Sequence, residues 1–138
     1  MTATEPNETG SPGYSQPMPC EPESARRARA LVDTALTLWR LADLVDVGKL
    51  VVSELVGNAV RHSRGAHMRV SVSLPTPRRV RIAVTDRSTA SPAPRKPAGE
   101  EETGRGLLLV AALTDRWEVE YRDQGKTVWA ELLADEGS

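Results

Sequence analysis

Two pairs of alternating segments, each pair joined by three turn-forming residues, limit this chain more than any other feature. HMRVSVSL (67–74) and RRVRIAVTD (78–86) flank Pro75-Thr76-Pro77, and RWEVEYR (116–122) and KTVWAELL (126–133) flank Asp123-Gln124-Gly125. Alternation with a period of two marks a strand with one buried face. A link this short joins only antiparallel neighbours, because parallel strands need a crossover of a dozen residues or more. The sheet is therefore expected to be mixed and mostly antiparallel.

The remaining regular segments carry the helical period. Ser24 stands as an N-cap before ARRARALVDTALTLWRLADLV, where Leu31, Ala35, Leu38 and Ala42 recur at helical spacing, so a first helix is expected to run to about Val45. Gly48 interrupts the pattern. KLVVSELVGNAVRHS then restarts it with Val52, Leu55, Val56 and Ala59 on one side. After the first hairpin, Arg87 to Thr103 hold Pro92, Pro94, Pro97, Gly99 and three successive glutamates without apolar periodicity, the pattern of a lid or binding loop. Gly104-Arg105-Gly106 opens a third helix, LLLVAAL. Helices segregated to one face of such a sheet make an α+β two-layer sandwich.

One domain is expected, over residues 24–138. Residues 1–23 hold five of the ten prolines, four glutamates and no Lys or Arg, which reads as a disordered acidic tail, either inert or partner-binding. Phe is absent and aromatics are 4% of the chain, so the core must be aliphatic. The formal charge of -1, from 18 basic and 19 acidic side chains, sets up no field directed at nucleic acid or an anionic membrane. The single cysteine, Cys20, has no internal disulfide partner, no charged-then-apolar leader precedes it, and no apolar run approaches the roughly 20 residues of a membrane helix. A cytoplasmic location is the expectation.

Chemistry is concentrated in a few polar residues. Glu54, Asn58 and His62 recur at steps of four and form one stripe bordering the apolar face of the second helix. An Asn carbonyl suits Mg²⁺, which takes much of its shell from water and phosphate, and a carboxylate one turn earlier suits proton acceptance from a hydroxyl. A solvated helix face would carry the same stripe. Asp86 closes a strand, where it either forms the following turn or accepts a hydrogen bond from an amino group such as that of adenine. The Gly104-Arg105-Gly106 stretch either simply starts a helix or brings backbone N–H groups, the helix dipole and a guanidinium to a phosphate. Gly125-Lys126-Thr127 is no P-loop, since Glu120 occupies the place of its first glycine and strands flank it. Gly125 reads as a hairpin turn, Thr127 as a hydroxyl able to face a cleft, and His67 as a strand-start residue.

Taken in order, E-L-V-G-N-A-V-R-H, V-T-D-R-S, G-R-G-L and G-K-T-V-W-A-E-L resemble the Bergerat-fold (GHKL) ATP-binding domains. They are most similar to the stand-alone anti-sigma factor serine kinases of bacteria, particularly the small actinomycete versions. The resemblance spans roughly residues 24–133. It implies ATP and Mg²⁺ as ligands, Glu54 as general base, Asn58 as Mg²⁺ ligand, and His62 near the phosphates. It further implies that Asp86 receives the adenine amino group, that Gly104, Arg105, Gly106 and Leu107 line the phosphates under the 87–103 lid, and that Thr127 supports the adenine side. The implied partners are a sigma factor and an anti-anti-sigma factor, with neither direct nucleic-acid contact nor a membrane, and a homodimer is expected from the resemblance alone. Two classes compete with the kinase: an ATP-binding module that docks a regulator without phosphoryl transfer, and, ranked last because no phosphoacceptor histidine helix precedes the domain, the detached ATP-binding half of a histidine kinase. The chain departs from the pattern at Arg87-Ser88, where a glycine usually stands two residues after the aspartate, and in showing no clear strand before the first helix.

Overall fold

The computed structural model describes residues 12–62, 67–86, 108–122 and 125–134. In chain order these form β1 (Gly13–Pro19), α1 (Ser24–Leu38), a 3-10 turn (Ala42–Leu44), α2 (Val45–His62), β2 (His67–Thr76), β3 (Arg79–Asp86), α3 (108–113), β4 (Arg116–Arg122) and β5 (Gly125–Leu133). The sheet order is β1-β2-β3-β5-β4, with every neighbouring pair antiparallel. This is the expected α+β two-layer sandwich, and the described strands include no parallel pair.

The core lies between one sheet face and α1 with α2. Leu31, Val32 and Leu36 of α1 and Val52, Leu55 and Val56 of α2 are almost fully buried, as are Val70, Val72, Val80, Ile82 and Val84 of the sheet. Each such side chain contributes about 1.5–3 kcal/mol by leaving water. The aliphatic character read from composition holds throughout.

Strand β1 falls inside the segment expected to be a tail. Its prolines conceal it in the sequence but fit its geometry. The N–H of Leu74 donates to the carbonyl of Pro12 at 3.0 Å, one step outside the Gly13–Ser73 pair. Alternate residues of an antiparallel strand turn their backbone groups toward the partner. Residues 14, 16 and 18 therefore face β2, while Pro17 and Pro19 fall on the open edge, where a missing N–H costs no ladder bond. The Pro19 carbonyl in turn accepts from the Ser24 hydroxyl at 2.6 Å and the Glu21 N–H at 2.9 Å. Ser24 is thus the first helical residue and ties α1 to β1, rather than serving as an N-cap.

The first helix stops at Leu38, short of Val45, in spite of continuing apolar periodicity. Arg40 takes φ 63°, the N–H of Leu41 reaches the carbonyl of Leu36, and the N–H of Arg40 reaches that of Thr37. These two bonds are a Schellman stop with arginine where glycine is usual, so its common sequence signal is missing. Gly48, in contrast, breaks nothing, and α2 runs through it. A Cβ there would stand 3.0 Å from Val32 Cγ1 and 3.2 Å from Leu36 Cδ1. The glycine lets α1 and α2 approach closely.

The sheet face away from the helices is covered by its own side chains. Glu131, 2% exposed, meets Arg79 at 3.1 Å, Arg81 at 2.7 Å and Arg116 at 3.7 Å. Arg81 also stacks on Trp129 at 4.0 Å, and the Trp129 indole donates to Glu120. Foremost through its hydrogen bond to Asp115, and against a smaller effect of burial, Arg79 is held above the usual guanidinium range. No helix among the described residues is long and apolar enough to cross a membrane.

Candidate functional site

Asp86 is the last residue of β3, and the strand's alternating burial puts it on the same, helix-facing side as Val80, Ile82 and Val84. It is 2% exposed. A buried carboxylate needs partners, and Lys126 Nζ lies 3.7 Å from its Oδ2. One row crosses the sheet here: Met18, Met68, Asp86, Lys126, Tyr121.

Helix α2 ends over this row. Near its start, Gly48 sits above Ile82, whose Cδ1 would be 3.7 Å from an added Cβ. From there Asn58 is ten residues along the helix, about 15 Å at 1.5 Å per residue. Asp86 is four residues along the strand, about 13 Å at 3.3–3.4 Å each. Helix and strand run the same way, because the Ala59 carbonyl accepts from Cys20 Sγ at 3.6 Å and Cys20 directly follows the β1 end that belongs to the Asp86 row. Asn58 and Asp86 therefore share one face and one end of the sheet.

Along α2 the stripe is graded. Glu54 is half-buried, Asn58 is 3% exposed, and His62, the last helical residue, is half-buried. No hydrogen bond or ion pair joins the Glu54 carboxylate or the Asn58 amide to another described residue, so neither is committed to holding the fold together. Beside Glu54, Ser53 accepts from Arg29 Nη1 at 3.1 Å and donates to the Lys49 carbonyl at 2.9 Å, which locks this turn of α2 against α1. Such a stripe is not a plain solvated face, since its central member is buried.

These residues fit a metal–nucleotide better than a bare metal. Among the described residues no three of His, Cys, Asp and Glu gather in a metal-ligating group. One neutral amide oxygen on a rigid helix suits Mg²⁺ when phosphates and water complete its shell.

Thr127 is the exception. Its neighbour Lys126 faces Asp86, and alternation turns Thr127 to the opposite side of the sheet, where its hydroxyl meets that of Thr85 at 2.9 Å. The structure thus puts Lys126 where the sequence reading expected Thr127. Nothing within the Gly125-Lys126-Thr127 segment singles out Lys126, because the β3–β5 register that sets it opposite Asp86 is a long-range property. Gly104, Arg105, Gly106, Leu107 and the 87–103 lid lie outside the described residues. The chain re-enters at α3, where Val110 is buried in the common core and its carbonyl accepts from the Thr114 hydroxyl at 2.7 Å.

Comparison with known families agrees with the fold. Residues 18–132 match the family described as histidine kinase-like ATPase domain. The match begins within β1 and ends within β5, so it takes in α2, Asp86 and Lys126 together. No curated protein gives a match.

Proposed function

The chain belongs to the histidine kinase-like ATPase domain family, whose members bind ATP, usually with Mg²⁺, and from that premise we propose that it is a serine-protein kinase of the anti-sigma type. In this reading it works in the cytoplasm, sequesters a sigma factor, and transfers the γ-phosphoryl group of ATP to a serine of an anti-anti-sigma partner. The observation that carries the reading is the shared position of Asn58 and Asp86 at one end of the helix-facing side of the sheet, with Glu54 one turn earlier on α2.

The residues divide the work. Asp86 accepts the adenine amino group, and Asn58 presents its carbonyl to the Mg²⁺ that accompanies the triphosphate. Bound there, Mg²⁺ offsets phosphate charge and orients the γ-phosphoryl group. His62 and the Gly104–Leu107 stretch contact the phosphates, with Arg105 supplying a full positive charge. Glu54 takes the proton from the serine hydroxyl as its oxygen bonds to the γ-phosphorus, and the bond between that phosphorus and the β–γ bridging oxygen breaks to release ADP. Transfer of this kind depends mainly on positioning and electrostatics, which a rigid helix end supplies.

The test is transfer of label from ATP to candidate anti-anti-sigma partners in the presence of Mg²⁺. The parent should label a partner serine, and Glu54→Ala should lower the rate by about 10²–10⁴-fold, the usual contribution of a general base, while still binding ATP. Nucleotide binding with no transfer to any partner would favour the non-catalytic docking module instead.

A further inference from the structure

Lys126, which pairs with Asp86, is unusual for its burial. Lys126 keeps only 16% of its side chain exposed, whereas lysines are almost always solvated unless paired. Its ammonium lies 3.7 Å from Asp86 Oδ2, its side chain shares the helix-facing side with Val128 and Ala130, and it is the direct register partner of Asp86. The position is fixed by the sheet, since β3 and β5 pair without a break from Arg79–Leu133 to Asp86–Lys126.

A cation this close to a buried carboxylate favours its ionised form. The distinction matters for recognition. An ionised carboxylate is an acceptor at every lone pair, whereas a protonated one also donates. A purine with an amino group at position 6 offers a hydrogen to such an acceptor. A purine with a 6-oxo group, seated in the same orientation, brings lone pairs against lone pairs, and only a protonated acid or an amide could answer it.

We propose that Lys126 is a specificity-determining residue of the nucleobase subsite, which keeps Asp86 an obligate acceptor and so selects 6-amino over 6-oxo purine nucleotides. The inference rests on the reading that Asp86 receives the base. Lys126 acts through Asp86 and takes no part in phosphoryl transfer. Neither the residue nor its role follows from the Gly125-Lys126-Thr127 motif itself; both come from the strand register and the ion pair.

Calorimetric titration with Mg-ATP and Mg-ITP separates the possibilities. The parent should prefer ATP by tenfold or more, because a site built around a hydrogen-bonding group penalises an analogue that cannot satisfy it by about 10–10⁴-fold. Lys126→Met should reduce that preference by about tenfold or more, while Lys126→Arg, which keeps the charge, should hold it within about threefold of the parent. Asp86→Asn, whose amide can turn a donor outward, should accept ITP nearly as well as ATP. Lys126→Gln provides the same comparison if the methionine variant does not fold, and melting without ligand reports on folding. An unchanged ATP-to-ITP ratio in the neutral variants would overturn the inference and leave the nucleotide reading standing. A parent that binds neither nucleotide would overturn the nucleotide reading itself, and the inference with it.

Discussion

The Cys20 thiol reaches the Ala59 carbonyl at 3.6 Å, and this contact between the end of β1 and the last turns of α2 fixes where the polar stripe of the helix lies. It brings Asn58 to the row that holds Met18, Met68, Asp86 and Lys126. Were α2 reversed, the same stripe would sit at the far end of the sheet, beside the hairpin between β2 and β3.

Asn58 should matter to the metal and not to the base. Asn58→Ala is expected to weaken Mg-ATP binding by about tenfold or more, since in the proposed function it would remove the protein's oxygen from the Mg²⁺ shell. Affinity for ATP in the presence of a chelator should stay within about threefold of the parent. Calorimetry with and without Mg²⁺ reads both quantities, and equal Mg-ATP affinity in variant and parent would contradict the metal role.

Gly48 should be intolerant of bulk. A leucine there would be driven into Val32 and Leu36 of α1, so Gly48→Leu is expected to lower stability by about 1–3 kcal/mol, the usual cost of overpacking. A lowered urea midpoint with an unchanged slope is the expected signature. A variant as stable as the parent would mean that the two helices are not held at this separation.

Removing the carboxylate from the outer sheet face leaves several arginines facing one another. Glu131→Ala is expected to cost about 2–3 kcal/mol, below the 3–5 typical of a broken buried pair because the arginine partners remain partly in water. Arg116→Ala should cost less than about 1 kcal/mol, since that side chain is 61% exposed and its contact is 3.7 Å long. Chemical unfolding measures both, and the reverse order would contradict the burial of Glu131 as the cause.

The local patterns read most reliably from the sequence were those decided within one segment. Alternation at 67–86 and 116–133 revealed four strands because each buries one face, and the period of Val52, Leu55, Val56 and Ala59 revealed α2. What escaped depends on contacts between segments. Pro17 and Pro19 mask β1 until its open edge is known. Arg40 ends α1 without glycine because the Schellman bonds and the turn into Ala42–Leu44 hold its φ at 63°. Gly48 looked like a breaker because nothing local shows Val32 lying against it. At the candidate site, Asp86 and the α2 stripe were visible as residue types at telling positions, whereas Lys126 required the β3–β5 register. The side taken by the Thr127 hydroxyl, which meets Thr85, depends on that same register.

The central claim is that one adenine nucleotide sits where the end of α2 meets the end of β3, and the thermal unfolding midpoint with and without Mg-ATP tests it most directly. At a ligand concentration about a hundredfold above Kd, binding to the folded state alone adds about 2.7 kcal/mol, which raises the midpoint by roughly ten degrees in a domain of this size. The parent should show that rise, and Asp86→Ala at the same concentration should show little of it. A parent midpoint that does not move, or an Asp86→Ala midpoint that climbs as far as the parent's, would contradict the claim.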